Sequence, residues 1–231
     1  MKWELHVHTS ETSRCGHVPA EQGVKWYVGK GYTGLVVTDH YTEKTLRDMP
    51  GTPEEKVKTW LHGYECARAA GEKYGLRVLF GIEVRLPANS NDFLVLGAEP
   101  EFLFRHTDLN QGTIEHLYET VHSAGALLIQ AHPYREDKCY PENPEYLDGV
   151  EVFNGTPRHE NFNGRALEFA EKHPNLIRTS GSDFHRPVEL ATGGIETDRD
   201  IQTGADLCQC LKDGAFTLIE CPNLEYTGDE E

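Results

Sequence analysis

Two pairs of residues in this sequence have the spacing of metal ligands. His6 and His8 flank a single valine, and Asp183 and His185 flank a single phenylalanine. Residues two apart on a β-strand project to the same side, so each pair places its two side chains roughly 7 Å apart at the backbone. Imidazoles and carboxylates at that separation can bind one divalent ion or two adjacent ions. The two pairs therefore predict metal-dependent chemistry.

Further residues of ligand type come directly after short apolar runs. Asp39 and His40 follow the run 34–38, Glu83 follows the run 77–82, and His132 comes two residues after the run 126–130. Asn154 follows the run 149–153, and we expect it to line a pocket rather than bind metal. Because Asp39 and His40 are adjacent in sequence, their side chains should diverge, and we expect His40 to be the metal ligand.

The apolar runs alternate with amphipathic stretches along the whole chain. We expect strands at 3–7, 34–38, 77–82, 93–96, 126–130, 149–153, 176–179 and 216–219, and helices at 19–30, 52–74, 113–123 and 161–172. This alternation is typical of a parallel sheet with helices outside it. In an open sheet, ligand residues at six strand ends would be spread along one edge, whereas a closed barrel gathers all of them on one face. The distribution of these residues therefore favours an α/β barrel.

The mixture of imidazoles and carboxylates suits Zn, Mn or Fe. Glu83 could bridge two ions, and two ions about 3.5–4 Å apart would generate a hydroxide and bind the oxygens of a reacting phosphate. We therefore expect two or three divalent metal ions as cofactors.

Composition narrows the choice of partners and compartment. The chain has 22 Lys and Arg against 38 Asp and Glu, a formal net charge of −16, which argues against general binding to nucleic acid or to anionic membranes. No apolar run approaches the roughly 18 residues of a membrane span, and residues 1–6 do not resemble a signal peptide. The six cysteines show no disulfide pattern. We expect a cytoplasmic protein with one domain over residues 1–224 and an acidic, frayed tail over residues 225–231.

Taken in order, these residues resemble the polymerase and histidinol phosphatase (PHP) family. The motifs that carry the resemblance are His6-Val7-His8-Thr9, Thr38-Asp39-His40, Gly81-Ile82-Glu83, Ala131-His132-Pro133 and Gly181-Ser182-Asp183-Phe184-His185. The resemblance implies a distorted (β/α)7 TIM-like barrel of parallel strands with outer helices. It also implies a trinuclear metal site and phosphoesterase activity, usually on phosphomonoesters.

The resemblance also implies a set of ligands for each ion. The first ion would be held by His6, His8, Glu83 and Asp183, the second by Glu83 and His132, and the third by His17, His40 and His185. His17 lies in Arg14-Cys15-Gly16-His17, which resembles the Cys-x-His that follows the His-x-His motif in histidinol-phosphatase-like members. Many trinuclear members have a further histidine just after the fourth strand. Residues 91–100 contain none, so Glu99 or a water molecule would take its place.

The remaining candidates concern the substrate. Arg135, Arg158 and Arg186 follow strands on the predicted active face, and guanidinium groups match phosphate oxygens. Our hypothesis is that a metal-activated hydroxide attacks the phosphorus of a small-molecule phosphate ester. Asp39 or His40 would then help to protonate the leaving alcohol.

Three alternatives remain open at this stage. A metal-dependent amidohydrolase also carries a His-x-His on its first strand, but it typically needs a bridging lysine where this chain has Glu83. A PHP-type nuclease is disfavoured by the net negative charge. A non-catalytic metal-binding domain is disfavoured by the nearly complete set of ligands.

Overall fold

Ten strands and eight α-helices alternate through residues 1–221, which are the residues that the computed structural model describes. The strands are β1 (Lys2–Val7), β2 (Tyr32–Val37), β3 (His40–Tyr41), β4 (Arg77–Arg85), β5 (Asp92–Leu96), β6 (Leu127–Ala131), β7 (Gly149–Asn154), β8 (Ile177–Gly181), β9 (Gly193–Glu196) and β10 (Thr217–Glu220). The helices are α1 (Ala20–Gly29), α2 (Glu43–Arg47), α3 (Pro53–Trp60), α4 (His62–Tyr74), α5 (Glu101–Arg105), α6 (Ile114–Ser123), α7 (Asn163–Lys172) and α8 (Gly204–Lys212). Short 3-10 helices lie at Arg135–Asp137, Pro144–Tyr146 and Pro187–Glu189.

The sheet curls into a nearly closed barrel. Its strands run in the order β1-β2-β4-β5-β6-β7-β8, with the short β3 continuing the position of β2 beside β4. The segment after β8 returns to β1, where the His8 amide donates to the Phe184 carbonyl (3.0 Å) and the Phe184 amide donates to the His6 carbonyl (3.1 Å). The antiparallel strands β9 and β10 lie beside β1 at this seam. The prediction of a distorted barrel with outer helices is confirmed.

The prediction that all strands are parallel is wrong for β5, which is antiparallel to both β4 and β6. It is also wrong for the strand expected at 216–219, which is β10 and pairs antiparallel with β9. Only residues 86–91 connect β4 to β5, and a crossover to a parallel strand needs a dozen residues or more. The chain therefore turns back as a hairpin. As a result, the first residue of β5, Asp92, lies at the same end of the barrel as the last residues of β4 and is paired with Arg85.

The predicted helix over 52–74 is two helices, α3 and α4, that meet at Leu61. Thr52 and Glu55 form the capping box at its start, as the sequence indicates. At the break, the Thr12 hydroxyl donates to the Trp60 carbonyl (2.8 Å) and accepts from the Gly63 amide (3.0 Å). Thr12, in the loop after β1, thus forms hydrogen bonds with backbone groups at the break that have no partner within a helix.

Close packing at two glycines supports the active face of the barrel. A Cβ on Gly63 would lie 2.1 Å from the Thr9 hydroxyl and 2.6 Å from Asp39 Oδ2, so only glycine lets α4 approach the end of β1 this closely. A Cβ on Gly181 would lie 2.6 Å from the His6 Cβ. These contacts fix β1 against its neighbours, and β1 carries the His-x-His pair.

None of the helices within residues 1–221 has the length and apolar character needed to cross a membrane. The predicted domain boundary at residue 224 and the predicted tail 225–231 lie outside the described residues.

Candidate metal centre

Seven of the eight predicted metal ligands converge at one end of the barrel. Their ligand atoms fall into groups whose members lie within 4.8 Å of one another: His6, His8 and Asp183; His6, Glu83 and His132; His8, His40 and His185; and His40, Glu83 and Asp92. Each residue comes from the end of a strand or from the turn just after one, which is the position that the sequence predicts for all of them except Asp92.

Glu83 lies at the centre of the cluster. Its Oε1 atom is 3.3 Å from His6 Nε2 and 3.2 Å from His132 Nε2, and its Oε2 atom is 3.3 Å from His8 Nε2 and 2.6 Å from His40 Nδ1. Burial alone would raise the pKa of Glu83, but the adjacent His40 and His6 hold it well below its usual range. The carboxylate is therefore ionised, and each of its oxygens faces a different half of the cluster.

Asp183 closes the cluster from the segment that follows β8 and lies beside β1. Its Oδ1 atom is 3.3 Å from His6 Nε2 and 3.2 Å from His8 Nε2, and its Oδ2 atom accepts from Arg135 at 2.5 Å. Both Asp183 (φ 53°) and His132 (φ 29°) adopt left-handed backbone conformations. Non-glycine residues are uncommon in such conformations, which occur more often at functional sites than elsewhere.

Three imidazoles are oriented by hydrogen bonds from their Nδ1 atoms. His6 Nδ1 donates to Glu151 Oε1 (3.0 Å), and His185 Nδ1 donates to the Asp183 carbonyl (2.9 Å). His8 Nδ1 lies 3.3 Å from the hydroxyl of Ser13, which itself donates to Asp39. Acceptors at Nδ1 leave the Nε2 lone pairs directed into the cluster, which is how carboxylates and carbonyls orient the histidines of metal sites.

Several buried polar atoms in the cluster contact only one another and make no hydrogen bond of good geometry, among them His6 Nε2, His8 Nε2 and Glu83 Oε2. Buried polar groups are normally paired, so such a concentration needs an explanation. Burial and the neighbouring His185 and His40 lower the pKa of His8 well below its usual value, which keeps its imidazole in the neutral form that binds metal. Against the lowering effect of burial, Asp183, Glu151 and Glu83 raise the pKa of His6. Divalent cations would satisfy the unpaired atoms and offset this local negative charge.

Asp39 does not line the cavity that opens beside the cluster of ligand atoms. It is 1% exposed, and its oxygens accept from the Thr9 amide (2.8 Å), the Thr9 hydroxyl (2.7 Å) and the Ser13 hydroxyl (2.6 Å). Burial raises the pKa of Asp39 to about 6. With its oxygens engaged in this way, Asp39 is placed to position Ser13 and His8. Of the two predicted proton donors, only His40 lines the cavity.

The structure does not bring the His17 side chain into the cluster. In the described residues, none of the groups of ligand atoms includes His17, whose side chain is exposed. Its backbone amide, not its side chain, reaches the site and donates to the His185 carbonyl (2.9 Å). The side chain of Cys15, and not that of His17, lies beside His40 and His185. Desolvation would raise the pKa of its thiol, but contacts of the thiol with His185 and His40 lower this pKa to about 5, although the residue as a whole is exposed.

Two residues of the site were missed from the sequence. Glu151, on β7, is buried and orients His6, and its alternation with Val150 and Val152 made it look like an ordinary strand residue. Asp92 lies 3.9 Å from His132 Nε2, in the region where we expected Glu99 or water to replace a histidine. Because β5 is antiparallel, its first residue faces the cluster and Glu99, beyond its last residue, lies at the other end. The short 86–91 connection was the signal that could have shown this.

A cavity of about 270 Å³ opens beside the cluster. Its lining includes His40, His185 and four cationic residues, namely Arg85, Arg135, Lys138 and Arg158. A second cavity of about 160 Å³ shares Cys15, His40 and Arg85 with it. Two of the three predicted phosphate-binding arginines, Arg135 and Arg158, thus line the main cavity. Arg186 does not line it within the described residues.

Both arginines are held by carboxylates and amides. Arg135 donates to Asp183, to Asn154 Oδ1 (3.1 Å) and to Asn161 Oδ1 (2.9 Å). Arg158 pairs with the buried Glu189. Fixed guanidinium groups at the wall of a cavity are suited to orient an anionic ligand.

No protein-family model matches the chain, and no curated protein matches it in sequence. Solved structures do resemble it. A two-domain protein from Bacteroides vulgatus that contains a predicted PHP-like metal-dependent phosphoesterase superposes with a TM-score of 0.71 at 17% identity, over 95% of this chain and 64% of that one. The lesion-specific endonuclease EndoQ from Pyrococcus furiosus gives 0.61 at 14% identity, over 94% and 57%.

An amidohydrolase from Chromobacterium violaceum, solved with bound sulfate and no metal, gives a TM-score of 0.55 at 16% identity, over 82% of this chain and 89% of that one. The chain spans less than two thirds of the Bacteroides protein. At these identities the likeness establishes a shared fold, which occurs in the Bacteroides protein with its predicted PHP-like metal-dependent phosphoesterase, in the endonuclease and in the amidohydrolase.

Proposed function

We propose that this protein is a metal-dependent phosphoesterase that hydrolyses a phosphomonoester of a small molecule. The observation that carries the proposal is the group of buried imidazole and carboxylate atoms that converge without hydrogen bonds of good geometry in the described structure, beside a cavity whose lining includes four cationic residues. The fold supports it, because a protein that contains a predicted PHP-like metal-dependent phosphoesterase shares this fold over 95% of the chain.

The residues present fit two or three divalent ions. His6, His8, Glu83 and Asp183 would hold one ion, Glu83 and His132 a second, and His40 and His185 a third. When bound, such ions supply a hydroxide nucleophile at neutral pH and neutralise the oxygens of the reacting phosphate. Zn, Mn and Fe all suit this mixture of ligands.

The chain's own residues would orient the substrate. Arg135 is fixed by Asp183 and Asn154, so its guanidinium can hold a phosphate oxygen without first being ordered. Arg158 lies on the same cavity wall. His40, whose side chain is 19% exposed, is the predicted proton donor that reaches the cavity. It would protonate the leaving alcohol in a site with two ions, whereas with a third ion bound its imidazole would be a metal ligand and have no proton to give.

The cavity favours a small substrate. At about 270 Å³ it is close to the lower end of the size range for small-molecule sites. The net charge of −16 would repel a nucleic-acid backbone outside the cavity, while the arginines inside would attract a single phosphate group. This supports a small-molecule ester over the nuclease alternative.

The test is hydrolysis of p-nitrophenyl phosphate, p-nitrophenyl acetate and a single-stranded oligonucleotide by metal-loaded protein. We expect chelator-sensitive release of phosphate from the first substrate, lost in His8→Ala and Asp183→Ala and retained in His116→Ala, which alters an exposed histidine on α6. Folding of each variant is checked by circular dichroism. If folded His8→Ala and Asp183→Ala hydrolyse the phosphate ester like wild type, the proposal is wrong. Cleavage of the acetate or the oligonucleotide alone would replace it with the corresponding alternative.

A further inference from the structure

A smaller cavity adjoins the main cavity beside the metal cluster. Cys15, His40 and Arg85 line both cavities, whose volumes are about 160 and about 270 Å³. Neither volume alone reaches about 300 Å³, where the usual range of small-molecule sites begins, whereas the two volumes together do. We therefore expect a ligand that fills the site to extend from one cavity into the other.

The linings of these two cavities are rich in cations, although the chain as a whole is acidic. The chain has 22 Lys and Arg against 38 Asp and Glu. The two linings together contain six Lys and Arg side chains but only two carboxylates, those of Asp92 and Glu136. A lining of average composition would have an excess of carboxylates. The cations are thus concentrated at this site, where their potential attracts anions.

The smaller cavity receives its cations from three separate parts of the chain. Arg14 lies in the loop after β1, Lys44 on α2 and Arg85 on β4. In the described part of the chain, no carboxylate lines this cavity. Arg85 binds both oxygens of Asp92, and Arg14 pairs with Asp48. Lys44 forms no salt bridge with any residue in 1–221, so its charge is the least offset of the three.

The positions of three side chains give the substrate a direction. Arg135 and Arg158, the proposed phosphate ligands, line the main cavity and not the smaller one. His40, the proposed proton donor to the leaving alcohol, lines both. With its phosphate beside the two arginines, a substrate therefore places its leaving alcohol next to His40 and the rest of that alcohol in the smaller cavity.

We propose that the leaving alcohol of the substrate carries a second anionic group, a carboxylate or a phosphate, which binds in the smaller cavity beside Lys44 and Arg14. This proposal rests on the proposed function and adds a substrate class to it. An alcohol without charge would gain nothing from the two cations, and an alcohol with an ammonium group would be repelled by them. The smaller cavity thus selects among small phosphomonoesters by the charge of the leaving alcohol.

The test compares four phosphomonoesters of short alcohols as substrates of metal-loaded protein at low ionic strength. They are glycerol phosphate, whose alcohol is neutral; phosphoglycerate, which adds a carboxylate; glycerol bisphosphate, which adds a phosphate; and phosphoethanolamine, which adds an ammonium group. Release of inorganic phosphate gives kcat/KM for each ester. The variants are Lys44→Glu, Arg14→Gln and the control Lys172→Glu, which makes the same change of charge as Lys44→Glu at an exposed position at the end of α7.

We expect wild type to prefer at least one of the two anionic alcohols over glycerol about fivefold in kcat/KM, and to disfavour phosphoethanolamine. Whichever of carboxylate and phosphate gives the larger value identifies the group that the cavity binds. Lys44→Glu should lower the ratio of the anionic ester to glycerol phosphate at least about fivefold, mainly through KM, because it replaces an attraction by a repulsion. Arg14→Gln should lower the same ratio about twofold or more, and Lys172→Glu should keep the wild-type ratio.

Two results would overturn the inference while leaving the proposed function intact. One is wild-type protein that hydrolyses p-nitrophenyl phosphate but hydrolyses neither anionic ester better than glycerol phosphate. The other is a Lys44→Glu variant with the same ratio as Lys172→Glu. If metal-loaded wild type hydrolyses none of the four esters and not p-nitrophenyl phosphate either, the proposed function is wrong, and the inference is wrong with it.

Discussion

Replacing Glu151 by glutamine should weaken metal binding, although Glu151 does not line the cavity and acts only through the residues that it holds in place. One of its oxygens accepts from His6 Nδ1 (3.0 Å), and the other accepts from the His132 amide (3.0 Å) and from Asn154 Nδ2 (2.8 Å). All of these partners donate, and a glutamine offers only one accepting oxygen. Its amide group must therefore face a donor on one side.

The size of the effect follows from that mismatch. If the glutamine amide turns towards His6, the imidazole loses the acceptor that holds its Nε2 atom towards the ions, and such losses typically cost 10- to 100-fold in metal affinity. That range corresponds to about 1.4 to 2.7 kcal/mol. If the amide turns towards His132 instead, a buried backbone donor is left unpaired, at a cost of about 1 to 3 kcal/mol in the free energy of unfolding.

The assay measures both quantities in one variant. Metal affinity is obtained by titrating metal-free protein with Zn²⁺, and stability is obtained by urea unfolding of the metal-free form. Glu171→Gln, an exposed position on α7, is the matched control and should change neither. The reasoning would be refuted if the Zn²⁺ affinity of Glu151→Gln stays within about twofold of wild type and its free energy of unfolding stays within about 0.5 kcal/mol. Changes of that size are the usual effect of an ordinary surface substitution.

Three further substitutions test the placement of individual side chains. His17→Ala should leave the number of bound metal equivalents unchanged and alter metal affinity less than about twofold, because the His17 side chain is exposed and only its backbone contacts His185; loss of an ion on elemental analysis would restore His17 as a ligand. Arg135→Lys should lower kcat/KM for a phosphate ester about 10- to 100-fold with little change in bound metal, because an ammonium group cannot reproduce the forked contacts; unchanged kinetics would remove Arg135 from substrate binding. Asp39→Asn should lower stability by about 1 to 3 kcal/mol and leave the pH profile of kcat unchanged in shape, whereas loss of one limb of that profile would make Asp39 the proton donor after all.

The sequence predicted the parts of the site that depend on strand direction and spacing. His6 and His8 project together because they lie two apart at the end of β1. Glu83 and His132 meet them because parallel strands end on the same face of a barrel. These placements need no knowledge of loop conformation, since the ligands lie on the strands or next to them.

Placements that depend on a loop or on strand polarity could not be read in the same way. His17 and Cys15 lie two apart in the loop after β1, and the turn at Gly16 decides which side chain faces the site. A Cβ on Gly16 would lie 2.7 Å from the Thr9 carbonyl, so this turn is set by close backbone packing. The run of apolar residues in β5 fits a strand of either direction, and only the length of its connection to β4 reveals that Asp92 faces the cluster.

Strand β9 was not predicted at all. It is four residues long and begins with Gly193 and Gly194, which have little intrinsic preference for a strand. The structure shows why glycine is needed: a Cβ on Gly193 would lie 2.3 Å from the Gly181 backbone, and one on Gly194 would lie 2.3 Å from the Trp3 carbonyl. At the seam of the barrel there is room for a backbone without side chains but not for a Cβ atom, so glycine is required there. This requirement comes from the packing of distant segments and not from the local preference of the sequence.

The most direct test of the central claim is the metal content of the protein and its effect on phosphate-ester hydrolysis. Purified protein is stripped with chelator, reconstituted with Mn²⁺ or Zn²⁺, quantified by elemental analysis and assayed with p-nitrophenyl phosphate at each stage. Ligands for up to three ions meet in the cluster, so we predict two to three bound equivalents and hydrolysis that disappears on chelation and returns with metal. Failure to bind any metal after reconstitution, or hydrolysis that is indifferent to chelation, would contradict the account.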